Sequence, residues 1–598
     1  MAELATNIDW KTKPEDKIRF SQLAAYGAGG IIPIALFNIA GILVGLMGNI
    51  SLGLSAFWLG VILIIPRLWD AISDPIIGHL SDNARTRWGR RRPFLLIGGI
   101  LVAVFFVVMW WIPKGEGIRA IFPSESGFQA FQLVYILFSL LLFYTATTIF
   151  EIPHGALGME LTTDYHERTR LFSAKSFVGN LFAMSTPWLF ALANLEIFRG
   201  TGGNEADGMR YVSLMIAALI IPLSFWWTWK LKEPGFVKAS KHEKTPFWKD
   251  MRRAASNRNF IFLTLTIFTL AMGFNFVQLL GSYIPIFYVF GGDKVAGAYL
   301  LGINGTVWAV TGVLAVFPLN IISPKLGKRN TLIIAISLMC LAQLSKIVCY
   351  NPHLPYLIII PTVLLSAGML FFFTLGSSMV GDICDEDELK TGYRAEGSFY
   401  SVFWWFIKMG TAFASFVAGA LIVLTMFDET QVTKVDALQG SFRELRKEVQ
   451  SWQPGSSPSA TYFELVEKAK KNSSDLQAHL QEKAAGNTRS KAHYDEIMKN
   501  MTTLNERIST LSTDISPSEL DKKLESIEKD ITSLTVQSPF TLLMMRVVEI
   551  GLPVLLSLFS IFFVLRYSLT EKRSHEIKEL IKKRNEERTA GETVPADS

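Results

Sequence analysis

The sequence predicts an all-α, polytopic membrane protein with about twelve transmembrane helices in two six-helix halves. Three observations support this fold class. The 598-residue chain is 50% apolar with a mean hydropathy of +0.31, and only 18% of its residues are charged, which is low for a soluble protein. Its apolar runs approach or exceed the roughly 18 to 20 residues that a helix needs to cross a bilayer. Its basic residues fall in alternate loops between these runs.

The apolar runs define the order of the elements. The predicted spans are 22–47, 54–79, 94–112, 129–158, 172–194, 209–231, 260–290, 296–322, 330–349, 355–380, 399–425 and 540–567. They divide the chain into a terminus (1–21), an N-terminal half (22–231), a central loop (232–259), helices seven to eleven (260–425), a polar helical insert (428–538), helix twelve (540–567) and a charged tail (568–598).

The basic loops predict the orientation. Basic residues follow spans two, four, six and eight and fill the tail, so the positive-inside rule places these segments and both termini in the cytoplasm. The N-terminus lacks the features of a cleaved signal peptide. We therefore expect a multi-pass protein of the plasma or inner membrane, in contact with lipid. This topology explains the net charge of +6 without a nucleic-acid partner, and three cysteines make a disulfide framework unexpected.

A weak internal repeat relates the two halves. The loop "GHLSDNARTRWGRRRPF" after span two is echoed by "ISPKLGKRN" after span eight, and "TDYHERTRLFSAKSF" after span four by "DEDELKTGYRAEGSF" after span ten. Parallel six-helix repeats are typical of rocking transporters with a solute site between the halves. The arginines of the first loop act either as an orientation signal that contacts lipid headgroups or as a gate; they are Arg85, Arg87, Arg90, Arg91 and Arg92.

Among the ionisable residues inside predicted spans, where a charge costs about 2.5 kcal/mol or more, five stand out: Arg67, Asp70, Asp74, Glu151 and Lys408. The first three are spaced by three and four residues, which places them on one helix face. The hydroxyls of Thr147 and Thr148 precede Glu151 by about one turn. Carboxylate and hydroxyl oxygens are hard ligands, so Asp70, Asp74 and Glu151 are candidate Na⁺ ligands.

The charges of these five residues predict coupling to a cation. If all ionise, their sum is minus one, and one monovalent cation makes the cavity neutral, which eases its movement across a low-dielectric barrier. The alternative is that the charges form static pairs between packed helices. His154 either belongs to a proton relay or is a hydrogen-bonded histidine that lines the pathway. We expect no cofactor other than co-transported Na⁺ or H⁺, and no enzyme motif occurs.

The motifs "RLWDAISDP", "RTRWGRRRPF", "EIPHGALGMELTTDYHERTRL", "DICDEDELKTGYRAEGSFYSV" and "IKMGTAFA" resemble those of the glycoside-pentoside-hexuronide:cation symporters. This branch of the major facilitator superfamily includes melibiose permease. The resemblance covers nearly all spans and implies the major facilitator fold. It implies that Asp70, Asp74, Thr148 and Glu151 bind the cation. Lys408 and Arg67 match residues of the coupling and transport pathway.

The solute side departs from the family pattern. Ile34 and Ser176 stand where a sugar-binding aspartate and arginine are expected, with Lys175 as a neighbouring substitute. Gly155 replaces a stacking tryptophan, and Phe403 and Trp404 replace a polar pair, although Trp404 remains a candidate for stacking on a sugar ring. The resemblance implies symport of a small polar solute, such as a sugar or glycoside. A lipid-like solute and a transporter-derived sensor or scaffold remain alternatives.

The insert predicts helices rather than a further enzymatic domain. Leu504, Ile508, Leu511 and Ile515 follow a helical spacing, as do Leu520, Leu524, Ile527, Ile531 and Leu534. "SPSE" from Ser516 supplies an N-cap and a capping-box glutamate. We expect two short helices that pack on each other or on the transporter rim, outside the membrane. A partner-binding coiled coil is the alternative.

Overall fold

The computed structural model describes residues 16–592. The positions left out are 38, 41–43, 45–47, 49–51, 53, 55, 115, 194, 201–204, 234–245, 282, 394, 453–459, 487–489 and 511–515. The described residues form helices and no strands, apart from one isolated bridge between Thr86 and Gly89. The structure therefore confirms the predicted all-α fold class.

The N-terminal half has one helix for each predicted span. These are α1 (Phe20–Ala28, followed by a π-helical turn at Ile31–Leu36), α2 (Ala56–Asn83), α3 (Arg92–Trp110), α4 (Glu125–Glu160), α5 (Tyr165–Ala183) and α6 (Glu205–Lys230). Shorter helices cover Glu116–Ile121, Thr186–Ala193 and Glu196–Arg199. The start of α5 is fixed by Asp164, whose side chain accepts hydrogen bonds from the backbone N–H groups of His166 and Glu167.

The C-terminal half begins after a short helix at Phe247–Ser256. Its first five helices are α7 (Arg258–Gly281, followed by a π-helical turn at Ile284–Val289), α8 (Lys294–Leu314), α9 (Val316–Cys349), α10 (Ile359–Thr391, after a 3₁₀ turn at Pro355–Ile358) and α11 (Glu396–Leu424). Gly327 breaks α9 with φ 75° and ψ 158°, a conformation that favours glycine. The break coincides with the predicted loop between spans eight and nine.

The insert contains four helices rather than the predicted two. They are α12 (Glu429–Gln450), α13 (Ala460–Gly486), α14 (Lys491–Ser509) and α15 (Pro517–Ser533). Each packs on its neighbours, and α12 also packs on α15, so the four enclose an apolar core of their own. Leu504, Ile508, Leu520, Leu524, Ile527, Ile531 and Leu534 are buried in that core, as their spacing predicted, whereas 511 and 515 lie outside the described residues. Ser516 caps α15 through Glu519 N–H.

The chain then returns to the transmembrane helices through α16 (Pro539–Arg566) and ends in the tail helix α17 (Glu571–Glu592). We call α1 to α11 together with α16 the transmembrane body. Seven helices of the described residues are long and apolar enough to cross a membrane, by length and composition: 92–110, 126–160, 206–230, 258–278, 316–349, 355–391 and 539–566.

Helix α2 shows how the body separates lipid-facing from buried positions. Its apolar residues at 64, 68, 72, 76 and 80 are each 45–58% exposed and form a stripe with a spacing of four. Asp70 and Asp74 lie two residues away from members of this stripe, about 200° around the helix, and both are buried. The face bearing the aspartates packs toward α11 and α4, so the costly charges point into the protein.

The halves meet through a few helix pairs. Helix α2 packs on α11, α4 packs on α11, and α5 packs on both α8 and α10. At the crossing of α2 and α11 the backbones approach closely. A Cβ atom added at Gly78 would lie 2.5 Å from the carbonyl oxygen of Gly397, so only glycine fits. The buried charged residues of α2, α4, α5 and α11 therefore lie at the interface between the halves.

Candidate functional site

Two carboxylates and one ammonium group form the centre of the site. Lys408 Nζ on α11 lies 3.0 Å from Asp70 Oδ2 and 2.7 Å from Asp74 Oδ2, both on α2. All three side chains are buried. Lys408 donates a hydrogen bond to Asp74, but the carboxylate oxygens of Asp70 accept no hydrogen bond from the described residues. Asp70 therefore keeps free electron pairs, although its charge is partly balanced.

The two threonines of α4 have different environments. Thr148 Oγ1 donates a hydrogen bond of 2.9 Å to Asp74 Oδ1, so its hydroxyl oxygen adjoins the carboxylates. Thr147 Oγ1 donates instead to the carbonyl oxygen of Phe143 in its own helix, at 3.0 Å. Thr148 thus has the position of a further oxygen ligand, whereas the Thr147 hydroxyl is turned toward the backbone.

Glu151 and Arg67 belong to the same set of charges inside the predicted spans as this centre, but neither forms an ion pair with another described residue. Glu151 is buried on α4, and its charge interacts with those of Lys175 and Lys408. The guanidinium of Arg67 stacks over the ring of Phe37, 4.2 Å from the centroid, and lies 5.9 Å from that of Tyr144. Arg67 shares the α2 helix with the aspartates but contacts aromatic rings.

His154 is held by packing and a hydrogen bond. Its ring stacks on Tyr26 at 4.3 Å between centroids and on Phe150 at 5.1 Å. Its Nε2 lies 3.1 Å from the carbonyl oxygen of Tyr26, and a Cβ atom at Gly29 would come within 2.3 Å of the same nitrogen. Among the described residues, His154 thus contacts aromatic rings and a backbone carbonyl group rather than the carboxylates of the site.

The predicted solute residues Lys175 and Trp404 both lie beside Tyr400 of α11. Lys175 Nζ on α5 donates a hydrogen bond of 3.3 Å to Tyr400 Oη on α11. The Tyr400 ring fills the space beside Gly155, where an added Cβ atom would lie 1.9 Å from ring carbon Cε1. Trp404 lies near Tyr400, 6.2 Å between centroids, and parallel to Phe373 at the same distance. The missing stacking tryptophan at 155 is thus replaced in space by a tyrosine from the other half.

A second charged cluster joins the halves at the end of the body that bears residues 84–91, which we call the basic end. We call this cluster the first bridge: Asp82, Arg90, Arg91, Glu160 and Glu396. Arg90 contacts Glu160 at 3.1 Å and Glu396 at 2.9 Å. Arg91 contacts Asp82 at 2.8 Å, Glu160 at 3.1 Å and Glu396 at 3.1 Å. All five side chains are buried.

The first bridge also uses the N-terminus of α11. Asp82 accepts hydrogen bonds from the backbone N–H groups of Gly397 and Ser398, at 2.9 and 2.8 Å. A carboxylate from the N-terminal half thereby meets the positive end of a helix from the C-terminal half. Burial disfavours the charged form of Arg90, but Glu160, Glu396 and Asp82 raise its pKa above the ordinary value.

Of the other three arginines of the predicted gate, Arg87 and Arg92 contact residues of the N-terminal half. Arg85 and Arg87 are exposed, and Arg87 lies 5.5 Å from the ring centroid of its neighbour Trp88. Arg92 donates to the carbonyl oxygen of Thr228, within the N-terminal half, at 2.7 Å. Arg90 and Arg91, which contact Glu396 of the other half, are therefore the strongest candidates for the gate.

Sequence reasoning missed a second cluster at the basic end, which we call the second bridge: Arg168, Lys328, Asp382 and Asp385. Arg168 on α5 contacts Asp382 at 2.5 Å and Asp385 at 2.7 Å, both on α10. Lys328, directly after the break at Gly327, contacts Asp382 at 2.7 Å. The signal was the echo between the charged loops after spans four and ten, since Arg168 lies in the first and Asp385 in the second.

A buried ion pair within the C-terminal half was also missed. Lys346 on α9 contacts Glu549 on α16, and Tyr350 Oη donates a hydrogen bond of 3.1 Å to Glu549 Oε1. All three are buried. Lys346 is the one charged residue of its predicted span, and Glu549 is the one acidic residue of its own, which was the available signal.

The helices of the body have an apolar outer surface, its two halves are joined at one end, and charged residues are buried between them. These features are typical of a multi-pass membrane transporter of the major facilitator class. A family model described as "MFS/sugar transport protein" matches residues 25–445. The chain belongs to this family. Its membership confirms the predicted family and fold and places the protein among transporters rather than enzymes.

Two relatives extend the comparison. The isoprimeverose transporter of Lactiplantibacillus pentosus is 26% identical over 377 residues, which are 62% of this chain and 73% of that protein. The sodium-dependent lysophosphatidylcholine symporter 1 of Mus musculus is 27% identical over 172 residues, which are 28% of this chain and 30% of that protein.

A solved structure supports the fold alone. The crystal structure of a bacterial homologue of the iron transporter ferroportin, in an outward-facing state, covers 68% of this chain and 93% of its own. Its TM-score is 0.53 at 13% sequence identity.

Proposed function

We propose that the protein is a symporter that couples uptake of a small polar solute, a sugar or glycoside, to a monovalent cation by alternating access. The observation that carries this proposal is the position of Lys408, which contacts both Asp70 and Asp74. Family membership and the relative that transports isoprimeverose support it.

Lys408 gives a physical route to coupling. Its ammonium group contacts the two carboxylates that are the best oxygen ligands for a cation. A cation that binds Asp70, Asp74 and Thr148 competes with Lys408 for the same charge, because two positive charges in one buried site repel each other. Once released from the aspartates, the ammonium group of Lys408 can pair with the carboxylate of Glu151, with whose charge it already interacts. Cation binding thereby changes the electrostatics of the neighbouring solute pathway.

The basic end is the cytoplasmic end in this proposal. The positive-inside rule supports that orientation, with both termini in the cytoplasm of a plasma or inner membrane. Because the two bridges join the halves there, the structure corresponds to a state whose cytoplasmic side is closed. Opening to the cytoplasm requires both bridges to separate, which exposes their charges to water.

The solute pathway combines aromatic rings with one buried ammonium group. Lys175, Tyr400 and Trp404 lie close together, and such a set offers hydrogen bonds and ring stacking to a sugar. A second candidate is a lysophospholipid, which the partial match to the lysophosphatidylcholine symporter favours. The apolar residues at the expected sugar positions suit that amphipathic solute equally well.

The cation assignment is tested by neutralising each aspartate. We expect Asp70→Asn and Asp74→Asn to abolish cation-dependent uptake in vesicles with an imposed Na⁺ or H⁺ gradient. We expect Thr148→Ala to weaken the apparent cation affinity by at least about tenfold, or ~1.4 kcal/mol. Thr147→Ala is the matched control, since its hydroxyl bonds its own helix. Unchanged cation dependence in both Asn variants would refute the site.

The solute is identified with the purified protein. A ligand of the folded state raises the apparent melting temperature, so sugars, glycosides and lysophospholipids are screened with and without Na⁺. A sugar that stabilises more strongly in Na⁺ supports the first candidate and sodium coupling together. Stabilisation by lysophospholipids alone selects the second candidate.

A further inference from the structure

Three side chains of types that bind metal ions lie close together at the basic end, away from the cation site. His166 stands in the first turn of α5, and Glu571 and His575 stand on the tail helix α17. One ligand atom from each lies within 4.8 Å of the other two. His166 Nε2 is 2.9 Å from Glu571 Oε1. All three side chains are partly buried, so water can reach them while the protein holds them in place.

The spacing of these residues favours a chelate. Glu571 and His575 are four residues apart on one helix and therefore share a face, and His166 approaches that face from another element. Two imidazoles and one carboxylate are a known ligand set for Zn²⁺, with a fourth position open to water. Imidazole nitrogens suit Zn²⁺ and its neighbours in the transition series, whereas Mg²⁺ and Ca²⁺ prefer all-oxygen sites.

The cluster lies where three parts of the chain meet. The hydroxyl of Tyr165, next to His166, accepts a hydrogen bond of 2.5 Å from the backbone N–H of Lys328. A Cβ atom at Gly327 would lie 3.4 Å from Glu571 Oε2. Lys578 on α17 lies 3.6 Å from Asp164. The tail helix thus contacts the start of α5 beside the second bridge and the break in α9.

We propose that His166, Glu571 and His575 form a binding site for a borderline transition-metal ion such as Zn²⁺, which fastens the tail helix to the start of α5. Since these elements adjoin the second bridge, the bound ion stabilises the state in which the basic end is closed. It therefore slows transport, a consequence that rests on the proposed function, whereas metal binding itself does not.

The test uses the full-length protein purified without a histidine tag. Binding of Zn²⁺ is measured by calorimetry, and Co²⁺ is used as a spectroscopic probe of tetrahedral coordination, both in the absence of solute and Na⁺. We expect one site per chain. His166→Ala and His575→Ala each lower the Zn²⁺ affinity by at least tenfold, and Ca²⁺ and Mg²⁺ do not compete. His353→Ala, an exposed histidine after α9, is the matched control and binds as the wild type does.

A second variant separates loss of the site from loss of folding. His166→Cys replaces one ligand by another, so we expect Co²⁺ binding to persist with an added thiolate charge-transfer band. Equal Zn²⁺ affinity in His166→Ala and wild type, or no Zn²⁺ binding by the wild type, would overturn the proposal. Asp70→Asn retains wild-type Zn²⁺ binding, so failure of the transport proposal is distinguishable from failure of the metal site.

Discussion

The two bridges at the basic end are built from equivalent helices of the two halves. They differ at one position, the start of α11 or α5, where the first bridge has an acidic residue and the second a basic residue. In the first bridge, cations before α3 contact the end of α4 and an acidic residue, Glu396, at the start of α11. In the second, a cation in α9 contacts the end of α10, and a basic residue, Arg168, lies at the start of α5. A shift of six helices relates α4 to α10 and α5 to α11.

Because of this difference, the first bridge depends more strongly on each of its cations than the second bridge does. It holds two cations and three carboxylates, a sum of minus one, whereas the second holds two cations and two carboxylates, a sum of zero. Each cation of the first bridge serves carboxylates of both halves. In the second, Lys328 and Asp382 are already paired within the C-terminal half, so that half keeps a balanced pair when the halves part.

Among variants of the bridges and the insert, the largest effect is expected from Arg91→Ala. This change leaves Asp82, Glu160 and Glu396 buried with Arg90 as their one remaining cation in the bridge. Removing one partner of a buried ion pair costs about 3 to 5 kcal/mol, which destabilises the closed state. We expect at least a tenfold loss of uptake. Accessibility of a cysteine at Ser401, buried near Gly78, to a thiol reagent from the cytoplasmic side should rise.

The accessibility measurement needs a background in which the three native cysteines are replaced by serine. Arg87→Ala is the matched control, because Arg87 is an exposed arginine of the same loop, and we expect wild-type uptake. If Arg87→Ala and Arg91→Ala reduce uptake equally, the loop acts through its total charge and the first bridge is not a gate.

A smaller effect is expected from Arg168→Ala. Asp382 keeps its contact with Lys328, so Asp385 alone loses its cation in the second bridge. A hydrogen bond to a charged group is worth about 1.5 to 3 kcal/mol, and we expect a reduction of uptake that is measurably weaker than that of Arg91→Ala. The matched control is Arg170→Ala, since Arg170 is 41% exposed and pairs with Glu167 in its own helix. A stronger effect for Arg168→Ala would reverse the ranking of the bridges.

These bridges also show what the sequence could and could not predict. Helix spacing identified the face of α2 that carries Asp70 and Asp74, because periodicity is a local property. The partner of Arg91 at Glu396 lies 305 residues away, and spacing within a helix gives no information about that distance. The repeat of the charged loops is visible in the sequence. Which residues of these loops contact each other depends on how the two halves pack.

The insert was underestimated for a different reason. Val435, Leu438, Phe442, Leu445 and Val449 have the same three-and-four spacing as the predicted helices, and all are buried in the core of the insert. The signal for α12 was therefore present in the sequence. Many of the insert's charged side chains form ion pairs at its surface, for example Arg446 with Asp521. This is the reverse of the transmembrane body, where charges are buried and apolar residues face outward.

The smallest effect on transport is expected from removing the insert, which begins after α11 at the opposite end from both bridges. Its ends are adjacent, since Gln537 Oε1 accepts a hydrogen bond from Asp428 N–H at 2.9 Å and Gln431 Nε2 donates to the carbonyl oxygen of Leu534 at 2.6 Å. A short Gly-Ser linker can therefore replace residues 432–535, and we expect near wild-type uptake.

A point substitution gives an independent test of the same expectation. Leu524→Ala opens a cavity in the insert core and should destabilise the insert by about 2 to 5 kcal/mol, measured by thermal unfolding, while uptake remains unchanged. Because the insert has its own core, loosening it does not alter the bridges or the contact of Lys408 with the aspartates. Loss of uptake in a correctly inserted deletion variant would instead show that the insert shapes the outer opening, and the transport cycle would then depend on both ends of the molecule.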